Sequence, residues 1–84
     1  MRLTANYDPT LPTKDWNDEN VVAWFLTTMP FVGPRYFLTF RDKGVNGAVL
    51  LELCKEDIRK YLGVEDPIHL RRIMAEIQKL KEGL

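Results

Sequence analysis

One histidine, one cysteine and no serine are all that this 84-residue chain offers to nucleophilic or metal chemistry. A metal or acid–base site at His69 would need further His, Cys or carboxylate groups at ligand spacing, and none lie there. A surface or turn-packing histidine is the simpler account of it. Cys54 has no second cysteine or neighbouring histidine to activate it, so it reads as a plain, partly buried thiol. A serine nucleophile is excluded outright. Gly44 and Gly47 are isolated, so no glycine-rich loop exists to cradle a phosphate. These residues point to a chain without catalysis, metal or cofactor.

What remains is charge and apolar contact. Glu52, Glu56 and Asp57 stand just ahead of Arg59 and Lys60, with Arg71 and Arg72 further on. Acids near a helix N-terminus and bases near its C-terminus complement the helix dipole. The same arrangement would also put an acidic patch and a basic patch on different sides of one small domain. The whole chain carries 12 basic and 12 acidic side chains, a balance that speaks against a dedicated nucleic-acid or membrane-surface binder. Arg71, Arg72, Lys79 and Lys81 supply some basic charge late in the chain, but Glu76 and Glu82 interrupt it.

The elements that position these residues read as helices. Asn17 is a favoured N-cap, Asp18 and Glu19 suit a first turn, and Val21, Val22, Trp24, Phe25, Leu26 and Met29 follow helical spacing up to Pro30. Gly33-Pro34 starts a second helix carrying Tyr36, Phe37 and Phe40, with Gly44 as its stop. Asn46 caps a short third helix with Val49, Leu50 and Leu53. A fourth spans 55–62, with Cys54 as its N-cap and Asp57 at N3, and ends at Gly63. Asp66-Pro67 opens a long fifth helix in which Leu70, Ile73, Met74, Ile77 and Leu80 repeat at helical intervals. Strand alternation is nowhere evident, so the expected class is all-α.

Residues 1–15, with Pro9 and Pro12 and no apolar period, read as an extended N-terminal lead-in or linker, from which Leu11 and Tyr7 could pack on the domain; the domain proper is 16–82. The aromatic set Trp24, Phe25, Tyr36, Phe37 and Phe40 is expected in the core, together with Leu50, Ile58 and Ile73. Phe31, in the loop beside Pro30 and Gly33, stays open between packing and an exposed contact. No apolar run approaches the roughly 20 residues that span a bilayer. The start Met1-Arg2-Leu3-Thr4-Ala5-Asn6 lacks the apolar core of a signal peptide. With a single cysteine, a reducing compartment is expected: the cytoplasm, with the nucleus as the alternative.

The ordered pieces Trp16, Val21, Trp24, Tyr36-x-x-x-Phe40, Val45-Asn46-Gly47, Leu50-Leu51, Leu53, Glu56-Asp57-Ile58 and Leu62-Gly63-Val64, followed by a long amphipathic helix, resemble the sterile alpha motif (SAM) domain. The resemblance covers about residues 16–80. It implies a compact five-helix bundle with a long C-terminal helix. It also implies a non-catalytic protein-interaction module, docking another SAM domain or another protein inside a longer signalling, scaffold or regulatory protein. Homo-oligomers are among the assemblies such domains form. RNA-hairpin binding through the basic part of the last helix, known for a minority of the family, is the alternative that the neutral charge disfavours.

Family members often join head to tail through two surfaces. Carried onto this chain, the central surface is Asp42, Asn46, Glu52, Glu56 and Asp57. The surface at the start of the last helix is Gly63, Val64, Ile68, His69, Arg71 and Arg72, with Val64 and Ile68 expected to supply the apolar contact and Phe31 as an additional contact. Three departures from the family pattern stand out. The segment between Trp24 and Tyr36 is longer than in many members, Ile68-His69-Leu70 replaces a common Gly-His-Arg, and Cys54 takes the usual capping threonine position.

Overall fold

Five helices account for the architecture, in a computed structural model that describes residues 11–83. They are α1 (Asp18–Thr28), α2 (Gly33–Asp42), α3 (Gly47–Glu52), α4 (Lys55–Lys60) and α5 (Pro67–Glu82), with a short 3-10 turn at Thr13–Asp15 ahead of them. Among the described residues there is no strand. The all-α bundle with a long last helix is as expected.

α1, α3 and α5 begin at side-chain caps. The Asn17 side chain accepts a hydrogen bond from the Asn20 N–H at 2.8 Å, and Asn20 returns the favour to the Asn17 N–H at 3.0 Å, a reciprocal capping box. Asn46 accepts from the Val49 N–H at 3.0 Å. Asp66 accepts from the Ile68 N–H at 2.9 Å and more loosely from the His69 N–H. Pro67 follows as the first residue of α5, where its missing N–H costs no intrahelical bond. Three boundaries differ from the sequence expectation. Gly33, not Pro34, is the first residue of α2. The short α4 stops at Lys60 instead of Leu62, because Leu62 turns inward to the core. Residues 13–15 are a 3-10 turn and not extended chain.

That turn is packed. Thr13 is buried, and the Gly47 N–H donates to the Trp16 carbonyl at 2.9 Å. A Cβ on Gly47 would overlap the Thr13 carbonyl oxygen, so the Asn46-Gly47 pair is what lets the lead-in cross the start of α3. Leu11 remains exposed, and Tyr7 lies outside the described residues.

The core forms where α1, α2 and α5 meet the short helices. Trp24, Phe25, Phe40, Leu50, Ile58, Ile73 and Ile77 are buried there, with Tyr36 and Phe37 half-buried against them, as the sequence spacing predicts. Phe25 and Phe40 pack with ring centroids 4.6 Å apart, and Trp16 and Trp24 at 6.4 Å. Such tilted pairs add about 0.5–1.5 kcal/mol each beyond their buried area. On α5, a helix about 24 Å long by its rise per residue, Leu70, Ile73 and Ile77 point into the core. The opposite stripe stays polar. The turn into α5 is set by Gly63 at φ +73°, a left-handed conformation that glycine adopts without strain.

Candidate functional site

Two hollows flank the start of α5. The first, about 230 Å³, lies between the α1–α2 loop and α5 and is lined by Met29, Pro30, Phe31, Val32, Ile68 and Arg72. Its shape begins with local geometry. Pro30 stops α1, the Gly33 N–H donates to the Met29 carbonyl at 2.7 Å, and residues 30–32 turn between them. A Cβ at Gly33 would sit 2.8 Å from the Phe25 carbonyl oxygen, so α2 starts hard against the end of α1. The three-residue turn packs Val32 against the core and turns Phe31 outward. Phe31 is 88% exposed as a result, and across the hollow Ile68 is 73% exposed.

Arg72 forms the polar rim of this hollow. Its Nη2 donates to the Thr28 carbonyl at 3.4 Å, and its Nε lies 3.4 Å from a Glu76 carboxylate oxygen. Lys79 approaches the same carboxylate at 3.3 Å. Glu76 itself is only 9% exposed, a buried acid that sequence reasoning took for a mere interruption of basic charge. Its two cations, at helical intervals on either side, are the signal that could have marked it.

The second hollow, about 340 Å³, lies on the other flank and is lined by Lys55, Pro67, Leu70, Arg71 and Met74. Arg71 and Arg72 therefore serve different hollows. Successive residues on a helix point about 100° apart, which here sends the two neighbouring arginines to opposite flanks.

The residues expected at the start of α5 thus divide. Ile68, Arg72 and Phe31 come together. Arg71 goes to the other flank. Gly63 is exposed at the turn. The His69 Nδ1 lies 2.7 Å from the Tyr36 hydroxyl, with the two rings edge to face, so it packs the turn, as the simpler account of it requires. Val64 corrects an expectation: its side chain is 0% exposed and belongs to the core cluster, leaving none of it for a partner. The turn that carries Val64 closes with its N–H donating to the Ile58 carbonyl at 3.3 Å, which swings the side chain inward.

The acidic residues occupy a second region, from the end of α2 through α3 to the first turn of α4. Asp42 and Glu52 are exposed and free of ion pairs among the described residues. The others already have intramolecular work. Asn46 caps α3. Glu56 accepts two hydrogen bonds from Arg59 at 2.9 and 3.0 Å. Asp57 accepts from the backbone N–H of Cys54 at 3.1 Å and from its thiol at 3.3 Å. Cys54 is indeed the N-cap of α4, but its thiol is exposed and not partly buried. Among the described residues no three His, Cys, Asp or Glu side chains are grouped to hold a metal ion. No helix there is long and apolar enough to cross a membrane.

The five-helix order and the long last helix have a counterpart among known families: the SAM domain (sterile alpha motif) model matches residues 14–81. The chain belongs to the sterile alpha motif family. Among curated proteins it is similar to human Kazrin, with 30% identity over 74 residues. The match covers 88% of this chain and 9% of Kazrin, so the chain spans a small fraction of that relative's length. SAM domains are in general non-catalytic protein–protein interaction modules. The loop between Trp24 and Tyr36, expected from the sequence to be unusual, is the one that holds Phe31 beside Ile68.

Proposed function

We propose that this SAM domain docks proteins through the Phe31–Ile68 hollow, and that its counterpart is the acidic surface of another such domain, joined head to tail. The observation that carries this reading is the pair of large apolar side chains, Phe31 and Ile68, held almost fully in water on either side of one hollow beside Arg72. Burying a side chain of this size is worth about 1.5–3 kcal/mol, so the pair supplies most of the binding energy. Arg72 on one partner, and Asp42 and Glu52 on the other, orient the encounter more than they hold it. A heterologous contact leaves each molecule one free surface, and so closes into a ring or grows into a fibre. The parent is read as a signalling, scaffold or regulatory protein working in the cytoplasm or nucleus. RNA binding draws no support from the arrangement, since of the four late bases Arg72 and Lys79 face Glu76, Arg71 lies on the other flank from Arg72, and the chain as a whole is neutral.

Sedimentation of single mutants and their mixture tests it. Ile68→Asp spoils the hollow and Glu52→Arg spoils the acidic surface without touching a helix cap. Each alone is expected to remain monomeric where the wild type associates, and an equimolar mixture is expected to recover a dimer through the two intact surfaces. A mixture that stays monomeric rejects the head-to-tail contact in favour of a symmetric one.

A further inference from the structure

The hollow on the other flank of α5 plays no part in that contact, and its chemistry differs. Its floor is Pro67, Leu70 and Met74, and its rim carries two cations, Lys55 from the first turn of α4 and Arg71 from α5. Neither cation has a hydrogen bond or ion pair among the described residues, and no acidic side chain lines the hollow. The nearby Asp66 carboxylate is engaged by the Ile68 and His69 N–H groups at the head of α5, and the Asp57 carboxylate by Cys54. On the flank of the first hollow the pattern is opposite, since Arg72 shares Glu76 with Lys79.

We infer that this hollow is a second, independent docking site for an acidic peptide segment that carries one or two aliphatic side chains between carboxylates. These would sit on Leu70 and Met74 while the flanking carboxylates meet Lys55 and Arg71. A volume of about 340 Å³ is at the small end of ligand sites, which suits one or two side chains. The apolar floor decides between anions: a phosphorylated headgroup would meet the two cations and leave that floor unused, whereas an aliphatic side chain fills it. Because Arg71 points away from Arg72, one domain could hold such a segment while the Phe31–Ile68 hollow is occupied.

The test is titration of the 84-residue chain with a synthetic acidic hexapeptide, Asp-Glu-Leu-Leu-Glu-Asp, followed by amide chemical shifts. Shifts are expected at Lys55, Leu70, Arg71 and Met74, with little movement at Phe31 and Ile68. The double variant Lys55→Glu, Arg71→Glu should weaken binding by about tenfold or more, as should glycine in place of the two peptide leucines. The milder Lys55→Gln, Arg71→Gln pair keeps the result interpretable if charge reversal disturbs the fold. Self-association by sedimentation should be unchanged in both variants. Shifts centred on Phe31 and Ile68, indifference to the leucines, or no binding up to about 2 mM peptide would each overturn the inference. So would equal retention on vesicles containing anionic lipid, which would make the site a membrane contact. Loss of self-association in the double variants would assign the hollow to the head-to-tail contact instead.

Discussion

The acidic region around α3 and α4 and the apolar region at the start of α5 are both exposed, yet they are built on opposite terms. In the first, Asn46, Glu56 and Asp57 are satisfied within the chain by caps and a short-range ion pair. Their presence is accounted for before any partner is considered. In the second, no contact among the described residues covers Phe31 and Ile68. The fold gains no burial from them, and water gains no hydrogen bond. An exposed charge is thus a weak pointer to a contact, while an exposed pair of large apolar side chains on one hollow is a strong one. Within the acidic region the same test favours Asp42 and Glu52 over Asn46, Glu56 and Asp57.

Two isoleucines on one helix give the largest effect with which to break the contrast. Ile73 is fully buried and Ile68 is not. Ile73→Ala should cost about 2–5 kcal/mol of stability, enough to threaten so small a domain. Ile68→Ala should change stability by no more than about 0.5 kcal/mol. Thermal unfolding of the two variants checks both; a large loss in Ile68→Ala would return that residue to the core.

Smaller and pH-dependent is the contribution of Asp66. The hydrogen bond from the Ile68 N–H, with a weaker one from His69, holds its carboxyl below the ordinary value of 3.8. A depressed folded-state value means the cap stabilises the fold above pH of about 4 and loses its effect as pH falls through the lower, folded value. Asp66→Asn keeps a capping oxygen and removes the titration. The melting temperature of the wild type should therefore fall more between neutral pH and about pH 3 than that of Asp66→Asn. Parallel curves would show that the cap is not felt in stability.

Cys54→Thr should raise stability by roughly 0.5–1 kcal/mol, because a hydroxyl accepts the Asp57 N–H better than a thiol does. The exposed position leaves room for the exchange. A lower melting temperature in the variant would mean that the thiol–carboxylate contact with Asp57 matters more than the cap.

Caps explain why so much of the fold was legible in the sequence. Asn17, Asn46, Asp66 and Pro67 act on backbone groups within three residues, so type and position alone reveal them. The periodic stripe of α5 is equally local. Burial in turns is not. Val64 is core because α4 ends early and the turn folds under, which depends on where α4 meets α5 and not on any neighbour in the chain. Glu76 escaped for the same reason. The divergence of Arg71 and Arg72 was available from helix geometry alone and was lost by treating adjacent bases as one patch. Phe31 could be narrowed no further than packing or contact, because its exposure follows from how tightly Gly33 sets α2 against α1.

Amide chemical shifts of the wild-type domain over a dilution series test the central claim most directly. If the Phe31–Ile68 hollow docks the acidic surface of another copy, raising the concentration should shift Phe31, Val32, Ile68 and Arg72 together with Asp42 and Glu52, and spare the amides of the core. Shifts in the acidic residues alone, or in the hollow alone, would mean a symmetric contact. A hollow whose amides stay still while the protein associates would contradict the account.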